Sequence, residues 1–525
     1  MQNDVKIGET VTISKAEYES LKQQISYLMD QLKLSQHRRY GASSEKSKYD
    51  QISLFAEAEA GQGQLFNEAE TDAELAAPNP DIEEVKAYRR KKARNVGERI
   101  PPDLPVEIVE YELPDSERSC PECGGDLHVM GREARDELKL IPAKAAILRH
   151  VRHIYSCRSC EKEATQVPIV KADIPRPVIK GSIASPEAVA YIASQKFVMG
   201  IPLYRQEQEW ERNGILLSRQ TMSNWLIKAT GDWLKPIYER LHELLCAEEV
   251  AHADETTVQV LREPGKAAQS KSYMWLYRTG GNAKRQIVLY DYQPSRSGKH
   301  PAAFLNGYTG YLHTDGYQVY HSGLPDRITV IGCWAHCRRK FDEALKIIPE
   351  KNRGDTETLR GKQYIDKLFA LEHDYTKLPT DDHCKARYEA RLKQSKPVMD
   401  EFFDWAENAG VLPKTPLGKA VKYALDQRQW LERVLLDGRL ELSNNRAERS
   451  IKPFVIGRKN WLFSNTPKGA DSSALLYSLV ETAKENGLVP VDYLTSIFRC
   501  APNLHNGHSI DSLLPWNLHH SLPHG

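Results

Sequence analysis

Three carboxylates stand in settings that could do chemistry together. Asp254 lies in the run 250–257 (Val-Ala-His-Ala-Asp-Glu-Thr-Thr), Asp315 in 310–317 (Gly-Tyr-Leu-His-Thr-Asp-Gly-Tyr), and Glu448 in 444–449 (Asn-Asn-Arg-Ala-Glu-Arg). The first two close apolar, strand-like runs, and the third belongs to a short polar helix flanked by cations and closed by Pro453. Carboxylates gathered from distant segments repel unless positive charge sits between them. Two hard divalent cations, Mg²⁺ or Mn²⁺, would relieve that repulsion, and a pair roughly 3.5–4 Å apart suits in-line displacement at phosphorus. The chemistry to expect is cutting or joining of phosphodiesters. A Glu among Arg and Lys is more often part of an ion-paired surface helix, and here the two companion acids argue for a site.

The surrounding pattern predicts how these acids are held. Strand character spans 250–260, 273–277 and 286–290. A helical piece follows at 298–305, then strands at 308–314 and 327–332, and a long helix from Trp334. This is the order of an RNase H-like α/β sheet, in which the first and fourth strands are central neighbours and Asp254 and Asp315 converge at one end. The third acid must arrive from a helix. Asn444 and Lys452 lie one turn to either side of Glu448, with Arg449 adjacent, so acid, amide and cation are expected in one cleft. Residues 342–437 are almost wholly helical in pattern, with Leu368, Leu371, Tyr375, Leu392, Phe402, Phe403 and Trp405 as core rather than base-stacking candidates. They form an insertion between the second acid and the third. Cys333 and His336, at a strand-to-helix junction, fit structural packing better than metal ligation, and Arg338 and Arg339 beyond them are candidate phosphate contacts.

Upstream, Ser14 and Glu17 make a capping box. Tyr18, Leu21, Ile25, Leu28 and Leu32 then follow a coiled-coil seam, which suggests pairing with a second copy. An Ala-, Glu- and Gly-rich stretch reads as a linker, acidic from Glu57 to Glu84 and basic at Arg89-Arg90-Lys91-Lys92. Cys120 and Cys123, with Cys157 and Cys160, form two Cys-x-x-Cys turns, the four thiolates of a structural Zn²⁺ in a zinc ribbon. Further on, Pro186 after Ser185, the Asn213-Gly214 break and Ser218 delimit three helices of helix-turn-helix type. Met222, Trp225 and Leu226 face inward there, while Arg219, Gln220, Ser223 and Asn224 form the outward face suited to base edges and phosphates. An ordinary three-helix bundle would show the same pattern.

The 525 residues carry a net charge of only +1, yet the charge is segregated along the chain, which keeps nucleic acid open as a partner. No apolar run reaches the ~18–20 residues that span a bilayer, and no secretory segment appears, so a cytoplasmic, nucleoid-associated protein without membrane contact is expected. The fold class is multidomain α/β. It comprises a coiled-coil helix (1–48), a linker (49–100), a zinc ribbon (101–172) and a helix-turn-helix domain (173–240). The RNase H-like core follows in two parts (241–341 and 438–490) around the helical insertion (342–437), and then a C-terminal tail (491–525).

Several long motifs in order resemble one family, the transposases of the IS66 class of bacterial insertion sequences. They are Tyr40-Gly41-Ala42-Ser43-Ser44-Glu45, the Cys-x-x-Cys ribbon, His252 to Thr256, Pro294 to Gly298, Asp315-Gly316-Tyr317, Cys333 to Phe341, Asn444 to Ile451, Gly457 to Trp461 and Leu513 to Asn517. The resemblance implies a DDE transposase acting on double-stranded DNA, both transposon ends and target. Its triad falls on Asp254, Asp315 and Glu448, with two Mg²⁺ or Mn²⁺ per site and one structural Zn²⁺. Lys452, Arg458 and Lys459, with Arg449, are then phosphate contacts, and Cys333 and His336 support the insertion. Two DNA ends require a homodimer or higher oligomer, and the family suggests two small accessory proteins of the same element. A catalytically silent zinc-ribbon and helix-turn-helix regulator derived from a transposase, or a nuclease that cuts without joining, stays open on the residues alone.

Overall fold

A computed structural model describes residues 145–156, 169–354, 356–378, 382–504 and 509–518. The expected coiled coil, the linker and all four ribbon cysteines (Cys120, Cys123, Cys157, Cys160) lie outside the described residues. The chain divides into two units, each taken by itself. In the smaller unit, strands β1 (Ile154–Ser156) and β2 (Ile169–Lys171) pair antiparallel, with Tyr155 opposite Val170.

The larger unit opens with helices α1 (Pro186–Phe197), α2 (Leu203–Arg212) and α3 (Arg219–Ala229). Ser185 and Ser218 cap α1 and α3 through their side-chain oxygens, as the sequence predicts. A π-turn at Thr230–Leu234 leads into α4 (Lys235–Cys246). These helices do not make a core of their own. Met222, Trp225, Leu226 and Leu241 enter one apolar cluster with sheet residues Trp275, Tyr277 and Tyr290 and the C-terminal residues Tyr477, Leu479 and Leu494. The reason is composition: α3 alone buries only Met222, Trp225, Leu226 and Ala229, too little apolar surface for an independent domain.

Five strands follow: β3 (Val250–Gln259), β4 (Lys271–Thr279), β5 (Val288–Gln293), β6 (Gly310–His313) and β7 (Ile328–Ile331), in the spatial order β5-β4-β3-β6-β7. The first three form an antiparallel meander, and β6 and β7 add in parallel. Short helices α5 (Lys299–Phe304) and α6 (Gln318–Ser322) lie in the crossovers. Helix α7 (Trp334–Lys346) leaves β7 for the insertion, which holds α8 (Glu357–Tyr375), α9 (His383–Ala390), α10 (Lys396–Asn408) and α11 (Pro416–Leu431). The insertion has a second core, built from Trp334, Phe341, Leu368, Phe402, Phe403 and Trp405. Tyr375 is buried and Leu371 half-buried, whereas Leu392, expected in this core, is 40 % exposed.

The chain returns through the segment 432–444, whose carbonyls are gathered by one buried guanidinium. Arg391 holds Glu372 through Nε and Nη2 (2.6 and 2.9 Å) and donates to the carbonyls of Val434, Asp437 and Leu440 at 3.2, 3.1 and 2.7 Å. That return delivers α12 (Asn445–Trp461), and α13 (Pro467–Glu485), α14 (Pro490–Cys500) and a short α15 (Pro515–Leu518) complete the chain. Two expectations are corrected here. The helix of Glu448 does not close at Pro453; it runs for 17 residues with the proline inside it. An interior proline costs on the order of 3 kcal/mol, and burial of Ala447, Ile451 and Phe454 in the main core offsets that cost. Residues 491–518 are no loose tail, since Tyr493, Leu494, Ile497, Phe498, Leu513 and Leu514 are buried.

The sheet edge at β5 is covered by hydroxyls. Ser478 Oγ accepts from Tyr290 N–H (2.7 Å), and Thr482 Oγ1 accepts from Val288 N–H (3.0 Å) while donating to Val288 C=O (2.9 Å).

Replacing Arg391 by Met should destabilise the protein by about 1–3 kcal/mol, because three carbonyls lose their donor while Glu372 keeps Arg387 as a partner. Denaturant unfolding of the variant against the parent checks this.

Candidate catalytic centre

The sheet register brings the first two acids level. β3 and β6 are parallel neighbours with His252 opposite His313, and the same offset, carried two residues on, sets Asp254 beside Asp315. Both side chains are half-buried. Asp254 Oδ1 accepts from Glu255 N–H at 2.8 Å, and Asp315 Oδ1 accepts from Tyr317 N–H at 3.0 Å. Each carboxylate thus spends one oxygen on a nearby backbone N–H. Glu448 arrives in the first turn of α12, a helix packed on β3, where the N-terminal dipole favours its charge.

The electrostatics register how crowded the acids are. Desolvation first, then the charges of Glu255, Glu448 and Asp315, hold Asp254 well above the usual carboxylate range. Asp315 is pushed up to about 7 by desolvation and by Glu255, against the opposing pull of the Tyr317 N–H and Arg296. Acids raised by desolvation and by neighbouring carboxylates are oxygen donors of the kind that hard divalent cations favour.

Glu448 is held from the insertion side. Arg339 Nη2 lies 3.4 Å from Oε2 and His336 Nδ1 3.4 Å from Oε1. Burial, then Arg339 and Lys340, push His336 down to about 3, so the imidazole is a neutral neighbour rather than an ion-pair partner. The Cys333 Sγ accepts from Asn444 N–H at 3.1 Å. Burial, then Glu448, raise that thiol to about 12. Cys333, His336 and Glu448 offer ligand atoms within 4.8 Å of one another, and a thiol held so high keeps its proton unless a cation displaces it.

Asn444 does something the sequence pattern did not indicate. It is fully buried, and instead of opening on a cleft its Nδ2 donates to Ala253 C=O (2.8 Å) while its Oδ1 accepts from His252 Nδ1 (3.0 Å). One amide therefore ties the start of α12 to the strand of Asp254. Because His252 donates from Nδ1, its Nε2 is the unprotonated nitrogen; His313 Nε2 accepts from Glu441 N–H (3.2 Å), which puts its proton on Nδ1. The two rings stack with centroids 4.4 Å apart, and burial keeps both uncharged, His252 with a pKa near 4 and His313 well below its usual range. The signal was available in the sequence: each sheet acid has a His two residues before it. Glu255 was also missed. Its Oε1 accepts from Arg296, at 2.9 Å from Nε, and its Oε2 accepts from Tyr320 O–H at 2.6 Å. Arg296 in turn lies over the Tyr317 ring, 3.7 Å from its centroid.

The expected DNA contacts sort by exposure. On α3, Arg219, Gln220 and Asn224 are exposed and Ser223 half-buried; Arg219 N–H donates to Glu207 (3.0 Å) and Gln220 to Asn224 (3.1 Å). Arg449 and Lys459 are exposed and Lys452 half-buried. Two expectations do not fit. Arg338 is buried, at 2.5 Å from Asp366 and 3.2 Å from Asp342, and so braces the insertion. Arg458 is buried against β3, donating to Thr257 C=O and to the hydroxyls of Thr256 (3.3 Å) and Thr257 (3.1 Å). In both cases a helical cation turned inward to meet polar groups that the local sequence does not reveal.

Comparison with known proteins adds the following. The family model described as "Transposase IS66 family" matches residues 181–472, "zinc-finger binding domain of transposase IS66" matches 117–161, and "IS66 C-terminal element" matches 478–516. "Transposase C of IS166 homeodomain" matches 27–109, the stretch expected to be coiled coil and linker. Two relatives from Sinorhizobium fredii are uncharacterized proteins. One, y4qI, is 30 % identical over 96 % of this chain and 91 % of its own; the other, y4jD, is 31 % identical over 82 % and 83 %. The Drosophila P element transposase strand transfer complex aligns over 57 % of this chain and 92 % of its own, at 13 % identity and a TM-score of 0.31, a level that carries no argument. Among the described residues no helix is long and apolar enough to cross a membrane.

Asp315 has a higher pKa folded than unfolded, so its ionisation opposes folding. The penalty is absent below about 3.8 and full above about 7. In chelator, Tm should fall as pH rises through that window, and Asp315→Asn should flatten the decline. Mg²⁺ or Mn²⁺ should raise Tm more above the window than below it, read by differential scanning fluorimetry. Asn444→Ala, which strands the His252 N–H and the Ala253 carbonyl in the interior, should cost on the order of 2–4 kcal/mol in denaturant unfolding.

Proposed function

The chain belongs to the IS66 transposase family, and from that starting point we propose that it is a DDE transposase. It binds the ends of its insertion sequence and catalyses metal-dependent strand cleavage and strand transfer. The sheet, with strand order β5-β4-β3-β6-β7 and an antiparallel meander followed by two parallel strands, serves as an RNase H-like core. The observation that carries the reading is the placement of Asp254 on β3 and of Asp315 just past the end of its parallel neighbour β6, with the Glu448 charge felt by both.

Asp254, Asp315 and Glu448 would hold a pair of divalent cations. When bound, such a pair supplies activation of water or of a DNA 3′-hydroxyl and stabilises charge on the departing 3′-oxygen. The chain does the rest. Arg339 orients the Glu448 carboxylate, the neutral His336 lies beside its other oxygen, and Asn444 fixes the helix that carries it. Glu255, engaged by Arg296 on one oxygen and by the Tyr320 hydroxyl on the other, supports the sheet end. Arg449, Lys452 and Lys459 hold the DNA phosphates, and the α3 face at Arg219, Gln220, Ser223 and Asn224 reads the transposon end. Cys120, Cys123, Cys157 and Cys160 hold one structural Zn²⁺, the N-terminal helix pairs copies as a coiled coil, and two DNA ends call for at least a dimer, with two small accessory proteins as partners. This chemistry places the protein with bacterial DNA in the cytoplasm.

Labelled duplexes carrying the element's ends, incubated with Mg²⁺ or Mn²⁺, test the proposal. The native protein should yield cleaved and joined products, and Asp254→Ala, Asp315→Ala and Glu448→Ala should each lower both by at least about 10³-fold, the scale of losing an essential group. Specific end binding with no metal-dependent products, accessory proteins included, would sink the enzyme reading and leave a regulator; cleavage without joining would leave a nuclease.

A further inference from the structure

Beyond Glu448, helix α12 ends in a backbone conformation that no other non-glycine residue adopts among those described. Leu462 has φ 63° and ψ −52°, and Phe463 N–H donates to Trp461 C=O at 2.8 Å, closing the positive-φ form of the γ-turn. For a residue with a large side chain this conformation is strained. The turn persists because both flanks are pinned. Leu462 N–H donates to Arg458 C=O (2.7 Å), Ser464 N–H to Gln259 C=O (2.9 Å), Leu261 N–H to Ser464 C=O (3.0 Å) and Arg262 N–H to Asn465 C=O (3.0 Å).

The strain does not serve the core. Leu462 is 64 % exposed and Phe463 43 % exposed. From residue 449 to residue 470 the chain carries no carboxylate, and its exposed or half-buried cations are Arg449, Lys452, Lys459 and Lys468, with Arg458 turned inward. The matching partner has apolar planes inside a shell of negative charge. That is duplex DNA at an opened base step, which accepts Leu and Phe wedges.

We infer that Leu462 and Phe463 form an apolar wedge that enters an opened step of the bound DNA. The inference rests on the proposed function. Leu462 lies 14 residues past Glu448, about 21 Å along a helix rising 1.5 Å per residue. For a duplex running beside α12, that is about six base pairs from the phosphate at the acids, at 3.4 Å per step.

The test uses end duplexes with 2-aminopurine placed at successive positions, bound by full-length Asp254→Ala so that the DNA stays intact. Fluorescence should rise at about six base pairs from the scissile phosphate. Added to that background, Leu462→Gly, which relieves the strain and should leave Tm equal or higher, and Phe463→Ser should each lose most of that rise while still binding the ends. A rise unchanged in both variants, or no rise anywhere on bound DNA, overturns the wedge. So does a drop in the sedimenting mass of DNA-free protein on Phe463→Ser, which would make the turn a contact between copies. Failure of the transposase reading is separate: it appears as absent cleavage by the native protein on the same duplexes, whatever the fluorescence.

Discussion

Like charges drawn into a region poor in water repel strongly, and no arrangement of side chains alone makes three carboxylates comfortable together. The protein holds them near one another by rooting each in a different support. Asp254 belongs to a central strand, Asp315 to the turn after its parallel neighbour, and Glu448 to a helix delivered from far along the chain. None can retreat without moving a strand or helix that the core already fixes. The elevated Asp315 is the visible residue of that tension.

The supports are locked by a few polar groups placed where apolar packing could not specify position. Asn444 is the most economical. A single amide satisfies a strand carbonyl and an imidazole and so couples the third acid to the first. The stacked pair His252 and His313 marks the register of β3 against β6, which matters because a one-residue slip would turn Asp254 to the other face. Farther out, Arg391 gathers the returning chain, so the long insertion ends at a defined point rather than at the end of a floppy tether. Buried networks of this kind hold a unique arrangement only when each member finds its partner.

Much of this was legible in the residues. Strand-like runs marked all five strands, Ser185 and Ser218 announced their helices, and the aromatics of the insertion read correctly as core at Phe402, Phe403 and Trp405. Errors arose where tertiary contacts overrode a local rule. Pro453 reads as a stop, yet burial on both sides carries the helix through it. Arg338 and Arg458 read as cations for phosphate, but their partners Asp366 and Thr257 are distant in sequence, so no local pattern reveals that the guanidinium groups turn inward. The amide of Asn444 was placed on the correct helix with the wrong task for the same reason. The backbone at Leu462 had no sequence signature, since leucine is an unexpected residue at positive φ.

The hydroxyls of Ser478 and Thr482 have a meaning apart from anything catalytic. An edge strand with bare N–H and C=O groups invites another strand to add to it, the usual first step toward aggregation. At β5 that invitation is withdrawn by two short side chains on a helix that occupy the groups a newcomer would need. At the opposite edge Arg433 donates to Val330 C=O. The β5 margin is therefore occupied from within the chain, and a second copy meeting it there would find side chains in place of free backbone groups. A margin closed in this way resists strand addition even where the protein is concentrated.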